Sequence, residues 1–184
     1  AVSVFAGCGA TQTQLTQKMD LGQATGDASP IIAEGDQAWT ERSDRGKAEL
    51  AIRKWEEASK MDPTRAGVAL KLAYGYYFMA NVHVRWDDEP EDALSALFDQ
   101  GIKVGERAIL LQNKDFKMAL ESGKKWEDAV KMVPKEGIAS LYWYATNLGK
   151  WSLLQGITTT LGNKSRIKST MEHVLKLDET FFYG

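Results

Sequence analysis

Residues 51–63 read Ala51-Ile52-Arg53-Lys54-Trp55-Glu56-Glu57-Ala58-Ser59-Lys60-Met61-Asp62-Pro63. An alanine is followed by an aromatic residue four positions on, a second alanine three later, and a proline five further. Helices that cross at close range need a small side chain where their backbones touch, a large ring to fill the space beside it, and a stop before the next element. Pro63 supplies the stop, because the residue before a proline is pushed out of the helical region. This is the second-helix pattern of a tetratricopeptide unit, a helix pair that repeats about every 34 residues.

Counting outward tests the pattern. One period on, Leu72, Ala73 and Tyr76 fall on the first helix of the next unit, at its leucine, small and tyrosine positions. Its second helix is weaker, with Gly101, Gly105, Ala108 and Asn113 at the four positions and about 16 residues inserted ahead. Trp86-Asp87-Asp88-Glu89-Pro90 sit in that insertion and read as a solvated acidic loop. A short helix over 116–132 and a junction at Pro134 and Gly137 lead to another first helix carrying Leu141, Tyr144, Ala145 and Leu148. Ile167, Met171, Val174 and Asp178 then stand at second-helix positions. A generic bundle could match one such motif by chance, whereas three in register predict an all-α, tetratricopeptide-like helical repeat array, an α-α superhelix.

Composition agrees with that architecture and narrows the function. The chain has 184 residues, only four prolines, and six each of Trp, Tyr and Phe, a large aromatic load that must pack somewhere. Charge is nearly balanced, 23 Lys+Arg against 25 Asp+Glu, without a basic block, so nucleic acid is not an expected partner. One cysteine excludes an intramolecular disulfide, and His83 and His173 lack ligand-spaced partners, so no metal or cofactor is implied. Both histidines read as surface or satisfied packing residues. A nucleophile with its base, a paired-carboxylate cleft or a phosphate-cradling glycine loop is not evident, and the chain is expected to bind without catalysing.

The amino terminus, Ala1-Val2-Ser3-Val4-Phe5-Ala6-Gly7-Cys8, is a short apolar run ending in small residues before the only cysteine. It looks like the tail of a bacterial lipoprotein signal peptide with Cys8 as the lipidation site; the alternative is a buried core cysteine. Residues 9–30 are polar and punctuated by glycine and read as a tether, leaving 31–184 as the helical domain. Membrane attachment would rest on acyl chains, since no stretch approaches the roughly 18 apolar residues of a spanning helix.

Four segments carry a narrower likeness: Phe5-Ala6-Gly7-Cys8; Leu70-Lys71-Leu72-Ala73-Tyr74-Gly75-Tyr76; Ala139-Ser140-Leu141-Tyr142-Trp143-Tyr144-Ala145 running on to Gly149-Lys150-Trp151; and Leu177-Asp178-Glu179-Thr180-Phe181-Phe182-Tyr183-Gly184. The chain resembles the TatT family, the T component of periplasmic TRAP transport systems, lipoproteins made from cryptic tetratricopeptide repeats. Members of that family continue past such a terminal segment into a further helical pair, so this chain reads as one cut short at its carboxyl end. The resemblance implies a periplasmic, membrane-anchored accessory subunit of a Gram-negative bacterium, often a homotrimer. It also implies docking to the solute-binding P component and an apolar path or pocket for a small organic ligand.

In such arrays the first helices line the concave face. The register puts Leu70, Tyr74 and Tyr77 there from one unit and Tyr142 and Thr146 from another, and these are the candidate ligand-binding residues, with Trp143 and Tyr76 assigned to the core. Lys150, farther along the same helix, is the candidate partner for an acid's carboxylate. The competing assignments are packing between units for the tyrosines and solvation for the lysine. A competing function is an adaptor lipoprotein whose groove holds extended peptide segments during assembly of envelope machinery.

Overall fold

The computed structural model describes residues 21–183. It holds eight α-helices and, among the described residues, no strand. They are α1 (Ser29–Trp39), α2 (Arg45–Met61), α3 (Ala66–Phe78), α4 (Glu91–Gln112), α5 (Lys114–Glu121), α6 (Trp126–Ala129), α7 (Ile138–Leu154) and α8 (Ile157–Leu177). A π-helical turn over Met79–His83 and a 3-10 turn over Val84–Trp86 extend α3. Three antiparallel pairs, α1/α2, α3/α4 and α7/α8, stack in order, with α5 and α6 inserted before the last. The chain is therefore an all-α helical repeat array.

The residues that predicted the array hold it together. Ala48, Ala51 and Ala58 are fully buried on α2, which starts where the Asp44 carboxylate accepts the Lys47 amide at 2.9 Å. At its other end the Asp62 carboxylate accepts the Thr64 amide and hydroxyl and the Arg65 Nε, so the stop at Pro63 becomes the turn into α3. The first helices α3 and α7 pack on each other, while α2 and α4 stand apart across an open groove of about 540 Å³ lined by Glu56, Lys60, Tyr76, Leu97 and Val104 among others. Closer packing among first than among second helices curves a stack with the first helices inside.

Two apolar clusters form the interior. One gathers Ala51, Ile52, Trp55, Val68, Leu72 and Tyr76 from α2 and α3. The other gathers Ile109, Phe116, Trp126, Leu141, Tyr144 and Leu148 from α4 to α7. Helix α4 contributes to both, with Leu94, Leu97 and Val104 against the first and Ile102, Ile109 and Leu110 in the second.

Helices α4 and α7 approach most closely at two glycines. A Cβ on Gly105 would lie 3.1 Å from Tyr144 Cα, and one on Gly101 would collide with the Asn147 carboxamide. Asn147 is fully buried, and its Nδ2 donates to Trp143 O at 2.7 Å and to Ala73 O at 3.0 Å, tying α7 to α3. Gly101→Ala is predicted to destabilise the fold by about 1–3 kcal/mol, because Asn147 cannot yield without giving up those bonds. Urea titration of Gly101→Ala, Asn147→Ala and the double variant checks this. The double should lose clearly less than the sum, since removing the amide vacates the space; strict additivity would refute the steric account.

Two boundaries differ from expectation. The folded body begins before residue 31: Pro30 sits in the first turn of α1, Thr25 N donates to Met61 O at 2.8 Å, and Arg107 donates to Leu21 O at 2.6 Å. Residues 21–28 thus lie on the body, held by backbone groups that composition does not reveal. The helix expected over 116–132 is broken, because Gly123 adopts φ +85° and ends the first segment after Glu121. The Trp86–Pro90 loop is where it was expected, with Trp86 at its head 77 % exposed.

Candidate functional site

The inner face of the array is aromatic, and rings from successive units touch in series. On α1, Trp39 meets Tyr74 at 5.4 Å and Phe78 at 5.1 Å between centroids. Tyr74 stacks on Trp143 of α7 at 4.3 Å, and Tyr77 and Tyr142 reach the same indole at 5.2 and 5.0 Å. Phe182, held at φ +52°, closes the series edge-on to Trp143 at 5.0 Å. Trp143 is buried, whereas Tyr74, Tyr77 and Tyr142 are half-buried and keep part of their surface toward solvent. Burial raises the Tyr77 hydroxyl's pKa above its ordinary value, with Tyr142 adding to the effect and Arg85 opposing it, so Tyr77 is a neutral donor at physiological pH.

The three candidate tyrosines therefore share one neighbour, Trp143. Leu70 is half-buried, one turn before Tyr74 on α3. Thr146 is half-buried too, and its hydroxyl donates to Tyr142 O at 2.7 Å, which commits that donor to the helix backbone. Lys150 parts from the group: it lines a pocket of about 260 Å³ with Asn81, Arg85, Leu94, Phe98, Leu153 and Leu154. Tyr77 adjoins that pocket through Phe98, at 6.2 Å between ring centroids. Sequence reading missed Trp39, Phe78, Arg85 and Phe98. Their helices are brought to one place only by stacking, and an i,i+4 count along α3 from Tyr74 would have found Phe78 alone.

A second polar group lies deeper. Glu106 on α4 is 5 % exposed, and its Oε1 has no hydrogen-bond partner. Burial raises its pKa to about 7 against the opposing pull of Arg166. Arg166 of α8 lies over the Trp126 ring at 4.9 Å and donates to the Tyr144 hydroxyl at 3.4 Å. The two histidines are satisfied packing residues: His173 Nε2 donates to Val133 O at 2.8 Å and His83 Nε2 to Arg42 O at 3.0 Å.

Cys8 lies outside the described residues. Among the described residues no three His, Cys, Asp or Glu side chains group as a metal site, and no helix is long and apolar enough to cross a membrane. The arrangement offers contact area, a few hydroxyls and a pocket lined by Arg85 and Lys150, features suited to binding.

Comparison with curated proteins returned no match. A family model described as TRAP transporter T-component matches residues 48–184, from the middle of the first helix pair to the end of the chain. With most of its length covered, including two complete helix pairs, the chain belongs to the TRAP transporter T-component family.

Proposed function

We propose that this T component is a periplasmic subunit anchored by acyl chains on Cys8, that its inner aromatic face docks the solute-binding P component of a TRAP system, and that it binds a small organic acid. The observation carrying the reading is the unbroken series of rings from Trp39 to Phe182, half-exposed on the side where the first helices meet. Tyrosine and tryptophan supply large, rigid contact area at little entropic cost, and they dominate the energetic centres of protein interfaces. In a homotrimer each protomer would offer one such face.

The test mixes the full chain with the P component of the same TRAP system and follows the complex by size-exclusion chromatography and calorimetry. A stable complex is expected, and Tyr74→Ala and Tyr142→Ala should each weaken it about tenfold or more, roughly 1.4 kcal/mol. Lys60→Ala, on the groove at the opposite side, should leave it unchanged. Cys8→Ser should move the protein from the membrane fraction to the soluble periplasm. The adaptor reading draws on one observation, the open groove of about 540 Å³ between α2 and α4, which is wide enough for an extended segment. Absence of a receptor complex would favour it.

A further inference from the structure

The pocket holding Lys150 is a different surface from the aromatic face. Three elements build it: the end of α3, the first turns of α4 and the last turns of α7. Leu94, Phe98, Leu153 and Leu154 form its apolar walls, Arg85 and Lys150 bring two positive charges, and Asn81 adds an amide. Arg85 and Lys150 stand in no ion pair among the described residues. The nearest acidic loop is partly neutralised elsewhere, because Asp87 pairs with Arg45 at 2.8 Å.

We infer that this pocket binds a medium-chain monocarboxylate, the carboxylate held between Arg85 and Lys150 and the hydrocarbon tail laid against Phe98 and the leucines. Two cations outside any ion pair, Arg85 lying over the exposed Trp86 ring at 5.2 Å, beside apolar walls suit a molecule with one anionic end and one greasy end. Leu153 is 66 % and Leu154 39 % exposed, apolar surface that a bound tail would take out of water. The volume of about 260 Å³ falls just under the span of drug-sized pockets, which sets a ligand of about ten non-hydrogen atoms.

The local backbone is built to open this space. The π-helical turn at Met79–His83 places Asn81 in a widened helix, with its Nδ2 returned to Tyr77 O at 2.9 Å, and the 3-10 turn that follows carries Arg85. Such turns interrupt a regular helix at a cost, and they concentrate where proteins bind or react. On the far side, Gln155 Nε2 donates to Ser95 Oγ at 2.8 Å and pins the end of α7 to α4. The mouth lies toward the amino-terminal end of α4, away from Arg107 near its other end, which donates to the Leu21 and Pro63 carbonyls.

The inference rests on the proposed function only in taking an organic acid as ligand, and it can stand or fall without the receptor. Full-length protein is titrated calorimetrically with octanoate, octylammonium and octanol. Octanoate should bind at sub-millimolar concentration with affinity that falls as salt is raised, octylammonium should not, and octanol should be at least tenfold weaker. Arg85→Gln and Lys150→Gln, both away from the core, should each weaken octanoate about tenfold while circular dichroism stays unchanged. Equal affinity for octanoate and octanol, indifference to both substitutions, or no octanoate binding at millimolar concentration would each overturn the assignment. Octanoate binding without a receptor complex keeps the pocket and removes the docking proposal; the converse removes the pocket alone.

Discussion

Trp55→Ala is expected to cost about 3–5 kcal/mol of unfolding free energy, the largest single loss foreseen for a described residue. Trp55 is 2 % exposed between the first three helices. Its indole nitrogen donates to Asp36 at 3.0 Å, its ring tilts against Trp39 at 5.1 Å, and the Lys71 ammonium, bound to the same Asp36 at 2.6 Å, lies over it at 5.6 Å. Gly35 and Gly75 are shaped around it: a Cβ on either would fall 2.6 and 3.3 Å from the ring. Alanine would leave a void that rigid helices fill poorly and would remove the inner partner of Trp39, where the aromatic series begins. Trp55→Phe should retain most of the buried area and cost less, losing mainly the Asp36 bond. Urea melts followed by circular dichroism give the comparison; a loss under about 1 kcal/mol for the alanine variant would contradict the packing described.

Glu106→Gln should raise stability, by an amount set by pH. The folded carboxyl titrates at about 7 and the unfolded one near its ordinary 4.5. Between those values the folded state binds more protons than the unfolded one, so the wild-type protein loses stability as pH rises through that window. Below 4.5 the carboxyl is neutral in both states and glutamine offers nearly nothing. Above 8 the full gap is felt, and the variant should be more stable by about 3 kcal/mol. The cause is burial against an unpartnered Oε1, with Arg166 too remote to make an ion pair. Unfolding midpoints of both proteins at several pH values between 4 and 9 should diverge from pH 5 upward and then run parallel. A constant offset would mean that Glu106 is ionised in the fold throughout.

What the amino-acid sequence disclosed depended on whether the information was local. The Ala51–Pro63 pattern placed α2 and its stop because small-large-small spacing is a property of one helix. Leu72, Ala73 and Tyr76, one period on, placed α3 for the same reason. The divided insertion was harder: Ser122-Gly123 is a turn signal, but the apolar residues on either side kept a helical rhythm through it. The aromatic face was half legible. Tyr74, Tyr77 and Tyr142 fell in register, while Trp39 lies on an element without a motif, Phe182 lies in the terminal segment whose likeness said nothing of where its ring packs, and Trp143 assumed its central place because α7 packs on α3. The pocket's Arg85 could not have been matched with Lys150, since 65 positions separate them and only the packing of α3, α4 and α7 brings their helix ends to one side.

The division of the interior into two apolar clusters, with α4 spanning both, has a mechanical outcome. Helices α1 and α2 can loosen while the carboxyl-terminal half stays closed, so the protein has a soft end and a firm end joined through α4 and the packing of α3 on α7. Amide protons should exchange fastest in α1 and slowest in the middle of α4 and α7. A face that runs over both halves is then a ruler with one flexible joint, able to fit itself to a partner by bending at α3 without opening its firm end to water.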